Sequence, residues 1–213
     1  MKSILLIGAG RFGKNIAVQL QKMGHEVMLV DRCEDKVNEC LPYVTNALIG
    51  ETTNELFLKT LGIRNFDVCI VTIGNDFQSS VETTALLKEL GAKKVVSRAE
   101  RDLQEKILLR NGADEVIYPE KQVAMWTAIR YGSNYILDYT ELDNEHAIYE
   151  VEVPNNWQGK TIGEIDVRKK HQISIVAIKT NDKLNALITP NIELTQNMRL
   201  FIIGENKNIH KIF

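Results

Sequence analysis

The sequence predicts an α/β protein: a doubly wound parallel sheet over residues 1–133, followed by a small α+β domain over residues 134–213. Three observations carry that prediction. Short β-rich runs alternate with amphipathic stretches up to about residue 133. A glycine-rich turn, I-G-A-G-R-F-G at residues 7–13, separates the first β-rich run from the first amphipathic stretch. Beyond residue 134, β-rich runs follow one another with little helix between them.

Taken in order, the predicted strands of the first part are 3–7, 26–30, 45–49, 67–72, 94–97 and 115–117. Runs such as I-L-L-I and V-C-I-V-T are apolar nearly throughout, which suits parallel strands covered by helices on both faces. The first helix is expected over 11–23. Another runs from 77 to 90, capped by Asn75 or Asp76 and ended by Gly91. Pro119 suits the first turn of a last helix over 120–131, before Gly132. That helix carries Val123, Ala124, Trp126, Thr127 and Ile129 on a broad face, which reads as packing surface. In the second part, strands are expected at 146–153, 173–179, 184–188 and 198–204, with one short helix at 161–166. About 75 residues is near the lower limit for an independent fold, so this module is expected to pair with a second copy of itself.

Composition narrows the function classes. Lys and Arg number 26 against 28 Asp and Glu, a formal charge of -2, so no basic field marks the chain for nucleic acid, and no helix-turn-helix pattern is present. The only apolar run near the N-terminus, Ile4 to Ile7, is too short for an export signal or for the ~20 residues of a membrane span. Cys33, Cys40 and Cys69 are odd in number and form no C-x-x-C pair, which fits a reducing compartment. His25, His146, His171 and His210 lack zinc-ligand spacing.

Gly8, Gly10 and Gly13 fit G-x-G-x-x-G between a strand and a helix, the Rossmann-like arrangement. The first glycine permits the tight turn, the second lets backbone approach a pyrophosphate, and the third lets helix pack on strand. The helix N-terminus then faces the anion. Asp31 ends the second strand 18 residues beyond Gly13, near the spacing at which an acid hydrogen-bonds ribose hydroxyls. A 2′-phosphate would meet like charge at Asp31, but Arg32 follows directly and leaves that exclusion partial. Arg11 stands at the helix entrance, where positive charge opposes the helix dipole and makes more sense beside a bound phosphate.

The order I-G-A-G-R-F-G, V-D, I-G-E-T-T-N-E-L-F-L-K-T-L-G-I, V-T-I-G-N-D and N-G-A-D-E-V-I-Y-P-E resembles the RCK family, the regulators of potassium conductance. In particular it is similar to the cytosolic gating subunits of Ktr and Trk potassium transporters, over essentially the whole chain. The resemblance implies a cytoplasmic regulatory subunit at the inner face of the membrane. Its partner would be a potassium-translocating membrane subunit, and its own assembly an octameric ring or the dimers and tetramers that build one. It implies ATP or ADP, or alternatively NAD(H), in the glycine site, with Phe12, Thr72, Gly74, Asn75 and Arg98 beside the glycines and Asp31. Glu51, where the family commonly has Asp, and Thr52 would lie near adenine. Arg11 would contact terminal phosphates, and Glu120 would help bind a divalent cation, Mg2+ or Ca2+. In some members cyclic di-AMP binds between two C-terminal domains. Here Ile162, Val167 and Pro190 would be its apolar walls and Arg168 its phosphate partner, while Ser174 stands where a larger amide is expected.

The rival class is an NAD-dependent oxidoreductase using the same glycine site. Such an enzyme needs a proton-exchanging His, Lys or Tyr beside the nicotinamide. The Ser-x-x-x-Lys and Tyr-x-x-x-Lys patterns are missing at the strand ends, and Asn75-Asp76 offers acceptors without an obvious acid. The expectation is therefore a sensor rather than an enzyme.

Overall fold

The structure, a computed structural model, describes all 213 residues, which divide into two compact units, Met1–Glu120 and Lys121–Phe213. The first unit alternates strand and helix. In chain order it contains β1 (Ser3–Ile7), α1 (Arg11–Lys22), β2 (Glu26–Asp31), α2 (Glu34–Cys40), β3 (Asn46–Ile49) and α3 (Glu55–Thr60). There follow β4 (Val68–Val71), α4 (Phe77–Glu89), β5 (Val95–Arg98), α5 (Asp102–Arg110), β6 (Glu115–Ile117) and the start of α6 (Pro119–Gly132).

All six strands are parallel, in the spatial order β3-β2-β1-β4-β5-β6. The order reverses between β1 and β4, the switch point at which ligands bind in such sheets. Leu5, Leu6 and Ile7 of β1 are buried on both faces of the sheet. Leu6 packs with Ala17 of α1 and Leu29 on one side. Leu5 and Ile7 pack with Leu58 of α3 and Leu87 of α4 on the other. Two packed faces fix the height of the β1 and β4 ends, and so position the loops above them.

The second unit contains β7 (Ile136–Glu141), β8 (His146–Glu152), α7 (Ile162–Ile165), α8 (Val167–His171), β9 (Ile173–Thr180), β10 (Lys183–Asn185), β11 (Met198–Glu205) and α9 (Asn206–Ile209). Its five strands form an antiparallel sheet in the order β10-β9-β11-β8-β7. One face buries Val151, Ile173, Ile175, Leu200 and Ile202 against Trp157, Ile165 and Leu194.

Four expectations need correction. Ile136–Glu141 is a strand that the sequence reading left out. The strand expected at 184–188 shrinks to Lys183–Asn185, the short return arm of a hairpin whose turn places Asn181 and Asp182 at positive φ. The single helix expected at 161–166 is instead two short helices, divided at Asp166, which takes φ 49°. Finally, the broad face of α6 is largely not packed within the second unit: Val123 is 61% exposed and Trp126 38%, and the helix has no buried residue. Ile129 alone of that face joins the core of the second unit.

Candidate functional site

The loops above the carboxyl ends of the parallel strands enclose a cleft of about 840 Å³. Its floor is the turn between β1 and α1. Gly8 adopts φ 102°, and a Cβ there would come within 2.8 Å of Thr72 Oγ1. Gly13 lets α1 lie against that same turn, since a Cβ would overlap the Gly8 carbonyl oxygen. Gly10 is different. It caps α1 at φ -69°, no side chain caps the helix, and no protein atom lies within 4 Å of where its Cβ would be. The uncapped N–H groups of a 12-residue helix therefore open into the cleft beside a backbone with free space above it.

Asp31 holds this turn in place. Its Oδ2 accepts from the Ala9 N–H at 2.7 Å and its Oδ1 from the Cys33 N–H at 2.8 Å. Each oxygen retains a lone pair for a ligand hydroxyl. Thr72 supports the turn from below, its hydroxyl donating to the carbonyls of Gly8 (2.7 Å) and Ile7 (3.0 Å).

The far wall comes from β5 and α6. Arg98 lies over the Phe12 ring, 5.5 Å from its centroid, and its Nη2 approaches Glu100 Oε1 at 3.1 Å and Glu120 Oε1 at 2.5 Å. Its Nε is buried without a hydrogen-bond partner, a donor suited to an anion. Gly74 is small because Arg98 and Glu100 crowd it: a Cβ there would come within 2.7 Å and 2.6 Å of their side-chain atoms.

Across the mouth, Arg32 Nη1 stands 3.8 Å from Glu51 Oε2 and 3.6 Å from Asp76 Oδ2. Asp76 is also the N-cap of α4. The N–H and hydroxyl of Ser79 hold its carboxyl below the usual carboxylate range, with Arg32 adding a smaller electrostatic contribution.

The cleft thus brings together Gly8, Gly10, Arg11, Phe12, Asp31, Arg32, Glu51, Thr52, Thr72, Gly74, Asn75, Arg98 and Glu120 from the expected set. Gly13 stays behind the turn as a packing position. The Thr52 side chain is buried, its hydroxyl paired with Thr83 of α4 at 2.9 Å. Asn15, Lys36, Ser79 and Glu100 also line the cleft and went unread, because nothing in their local spacing separates them from ordinary helix and loop residues. Among the described residues, no group of three or more His, Cys, Asp or Glu side chains is arranged to hold a metal ion, so a cation at Glu120 would take further ligands from a bound molecule.

The second expected pocket is not gathered into one cavity. Val167 is buried in the core, Arg168 and Pro190 are exposed, and Ile162 packs on the core edge. Ser174 lies between the core residues Ile173 and Ile175 and so faces the other side of the sheet. Gly163 donates its N–H to the Pro190 carbonyl at 2.8 Å, which holds the loop of Pro190 against α7.

Comparison with known proteins agrees with this architecture. Residues 4–119 match the TrkA-N domain and residues 147–213 the TrkA-C domain. Over 210 residues, covering 99% of this chain and 95% of each relative, the chain is 40% identical to Ktr system potassium uptake protein C and 37% identical to Ktr system potassium uptake protein A, both of Bacillus subtilis. Among solved structures, the GsuK channel bound to NAD superposes with a TM-score of 0.70 at 17% identity, covering 97% of this chain and 38% of that one. The TrkA-N domain of the inner membrane protein ybaL from Escherichia coli gives 0.55 at 20% identity, covering 61% of this chain and 96% of that one. These two likenesses concern the fold, and this chain spans well under half of the channel. The chain belongs to the TrkA and Ktr family of potassium uptake proteins, with a TrkA-N domain followed by a TrkA-C domain.

Proposed function

We propose that the cleft binds an adenine nucleotide, ATP or ADP with NAD(H) as the alternative, and that the chain is a regulatory subunit of a potassium uptake system. The observation that carries the reading is the open N-terminus of α1 beside Gly10, at the switch point of the sheet, with Asp31 at ribose distance in the motif. Phosphates would lie over Gly8, Gly10 and Arg11, with Arg98 Nε as a further donor. Asp31 would accept from ribose hydroxyls, and Glu51 would flank the base. When bound with a divalent cation, the nucleotide would supply phosphate ligands that complete a site at Glu120.

In this reading residues 1–133 form the nucleotide-binding domain and 134–213 the regulatory one. The partner is a potassium-translocating membrane subunit, and the chain works at the cytoplasmic face as a ring of copies, an octamer or the dimers and tetramers that build it. No helix of the chain is long and apolar enough to cross a membrane. A ligand moves such a ring only through its different affinity for two ring states. ATP and ADP differ at the terminal phosphate, so Arg11 and Glu120 are the groups placed to read the difference. Cyclic di-AMP remains the proposed ligand of the C-terminal unit, between two copies. That arrangement is consistent with Ile162, Val167, Arg168, Ser174 and Pro190 not closing a pocket in one chain.

The test is to purify the full chain, measure its mass in solution and identify the nucleotide released on denaturation. An assembly of several chains carrying ADP or ATP supports the reading. A chain that carries no nucleotide, or that oxidises NADH with a substrate, overturns it.

A further inference from the structure

We infer that Arg32, held between Glu51 and Asp76, makes the cleft selective for an unphosphorylated ribose, so that nucleotides carrying a 2′-phosphate are turned away. The inference rests on reading the cleft as a nucleotide site. An arginine directly after the acid that ends the second strand is the residue type that accommodates a 2′-phosphate. Here that guanidinium is already engaged on two sides, 3.8 Å from Glu51 Oε2 and 3.6 Å from Asp76 Oδ2.

Three elements converge on the point: the end of β2 with Asp31 and Arg32, the loop after β3 with Glu51, and the N-cap of α4 with Asp76. Each exposed pair is weak by itself. The count of charges decides the outcome. Asp31, Glu51 and Asp76 face Arg32 and Lys36 of α2 along this end of the cleft, which leaves it negative before any ligand arrives. A phosphate monoester adds close to two further negative charges, and to reach Arg32 it would come against Asp76, which the N–H and hydroxyl of Ser79 hold in place, and against Glu51. An anion is favoured instead at the uncapped N-terminus of α1 beside Gly10, on the far side of Asp31 from Arg32, since Asp31 Oδ2 takes the Ala9 N–H at 2.7 Å. The helix N-terminus thus suits phosphate, and the acidic group around Arg32 suits hydroxyls.

The experiment is calorimetric titration of the full chain with two matched pairs, NADH against NADPH and adenosine 5′-phosphate against adenosine 2′,5′-bisphosphate. The unphosphorylated member of each binding pair is expected to bind at least ~10-fold more tightly, the scale of like-charge repulsion at a few ångströms in a partly solvated site. In the double variant Glu51→Gln with Asp76→Asn the discrimination should shrink several-fold, because Arg32 is released; asparagine still caps α4, so the fold is kept. Adding Arg32→Gln to that double variant should remove the gain in 2′-phosphate binding. Equal binding within a pair by the unaltered chain, or a ratio that the double variant leaves unchanged, overturns the inference and leaves the nucleotide site standing. Silence with all four ligands overturns the inference, and silence with ATP and ADP in the same titrations overturns the nucleotide reading as well.

Discussion

Arg98 Nη2 lies 2.5 Å from Glu120 Oε1, so the end of β5 is tied to the first turn of α6 across the wall of the cleft. The pair gives Glu120 two possible partners. The carboxylate pairs with Arg98; in the proposed reading a bound phosphate would give Arg98 a stronger partner and free the carboxylate for a cation. Glu120→Gln should therefore abolish most of the increment that Mg2+ adds to ATP affinity, while ATP binding in the presence of a chelator changes less. Calorimetry with and without Mg2+ measures both, and an undiminished Mg2+ increment in the variant would contradict the role.

The glycines of the turn should separate into structural and ligand-facing positions. Gly13→Ala forces a methyl into the Gly8 carbonyl, and overpacking of that kind typically costs about 1–3 kcal/mol. Gly10→Ala meets no protein atom and keeps an ordinary φ, so its cost should be limited to a poorer helix cap, about 1 kcal/mol or less. Thermal unfolding should show a clear loss of Tm for the first and a small one for the second. Equal losses would mean that the space above Gly10 is not open.

Acid should weaken the first unit through Asp114. Lys88 at 2.5 Å and the Val95 N–H at 2.7 Å hold its carboxyl below the usual carboxylate range, Lys88 being the larger cause. A pKa depressed by folding gives stability that is present above the unfolded value of about 3.9 and is lost as pH falls through the lower folded value. Asp114→Asn should thus lower Tm at pH 7 and have progressively less effect below about pH 4. A deficit that persists undiminished in acid would show that the substitution acts through packing instead.

The three thiols should react at different rates. Burial pushes Cys69 up to about 12 and raises Cys40 as well, while Cys33 is partly exposed at the start of α2. Since the thiolate is the reactive species, a thiol reagent at pH 8 should label Cys33 in the native protein and leave the other two until denaturation. Rapid labelling of Cys69 would place β4 at the surface, against the structure.

The exposed face of α6 predicts self-association. Val123 presents apolar surface that the second unit does not cover, and Trp126 beside it is 38% exposed although its indole N–H donates to Asp138 Oδ1. Val123→Asp should lower the mass of the assembly in solution without lowering the Tm of either unit, as read by light scattering and calorimetry. An unchanged mass would place the contact between copies elsewhere.

What the sequence made legible follows from how locally each feature is determined. The apolar runs of β1 and β4 and the glycine spacing are local, and the strand order and the cleft follow from them. Ile136–Glu141 was illegible because I-L-D-Y-T-E mixes acids with apolar residues. It becomes a strand through pairing with β8, where Tyr139 stacks on Tyr149 at 5.7 Å. Val167–His171 lies beyond the one short helix expected at 161–166, and its helix follows the left-handed residue Asp166, which composition does not announce. The family resemblance put Thr52 near adenine and Thr72 beside the glycines, but the direction of their hydroxyls, toward Thr83 and toward the glycine turn, is set by packing. The face of α6 was read as core because its amphipathic pattern does not say whose surface covers it.

The central claim is that the cleft over Gly10 and Asp31 holds an adenine nucleotide. Calorimetric titration of ATP and ADP into the full chain and into Gly10→Ala tests it most directly. The account predicts saturable binding near one site per chain and a loss of at least ~10-fold in the variant, where a methyl occupies the path of the phosphates. Absence of binding by the unaltered chain, or equal binding by a folded Gly10→Ala, would contradict it.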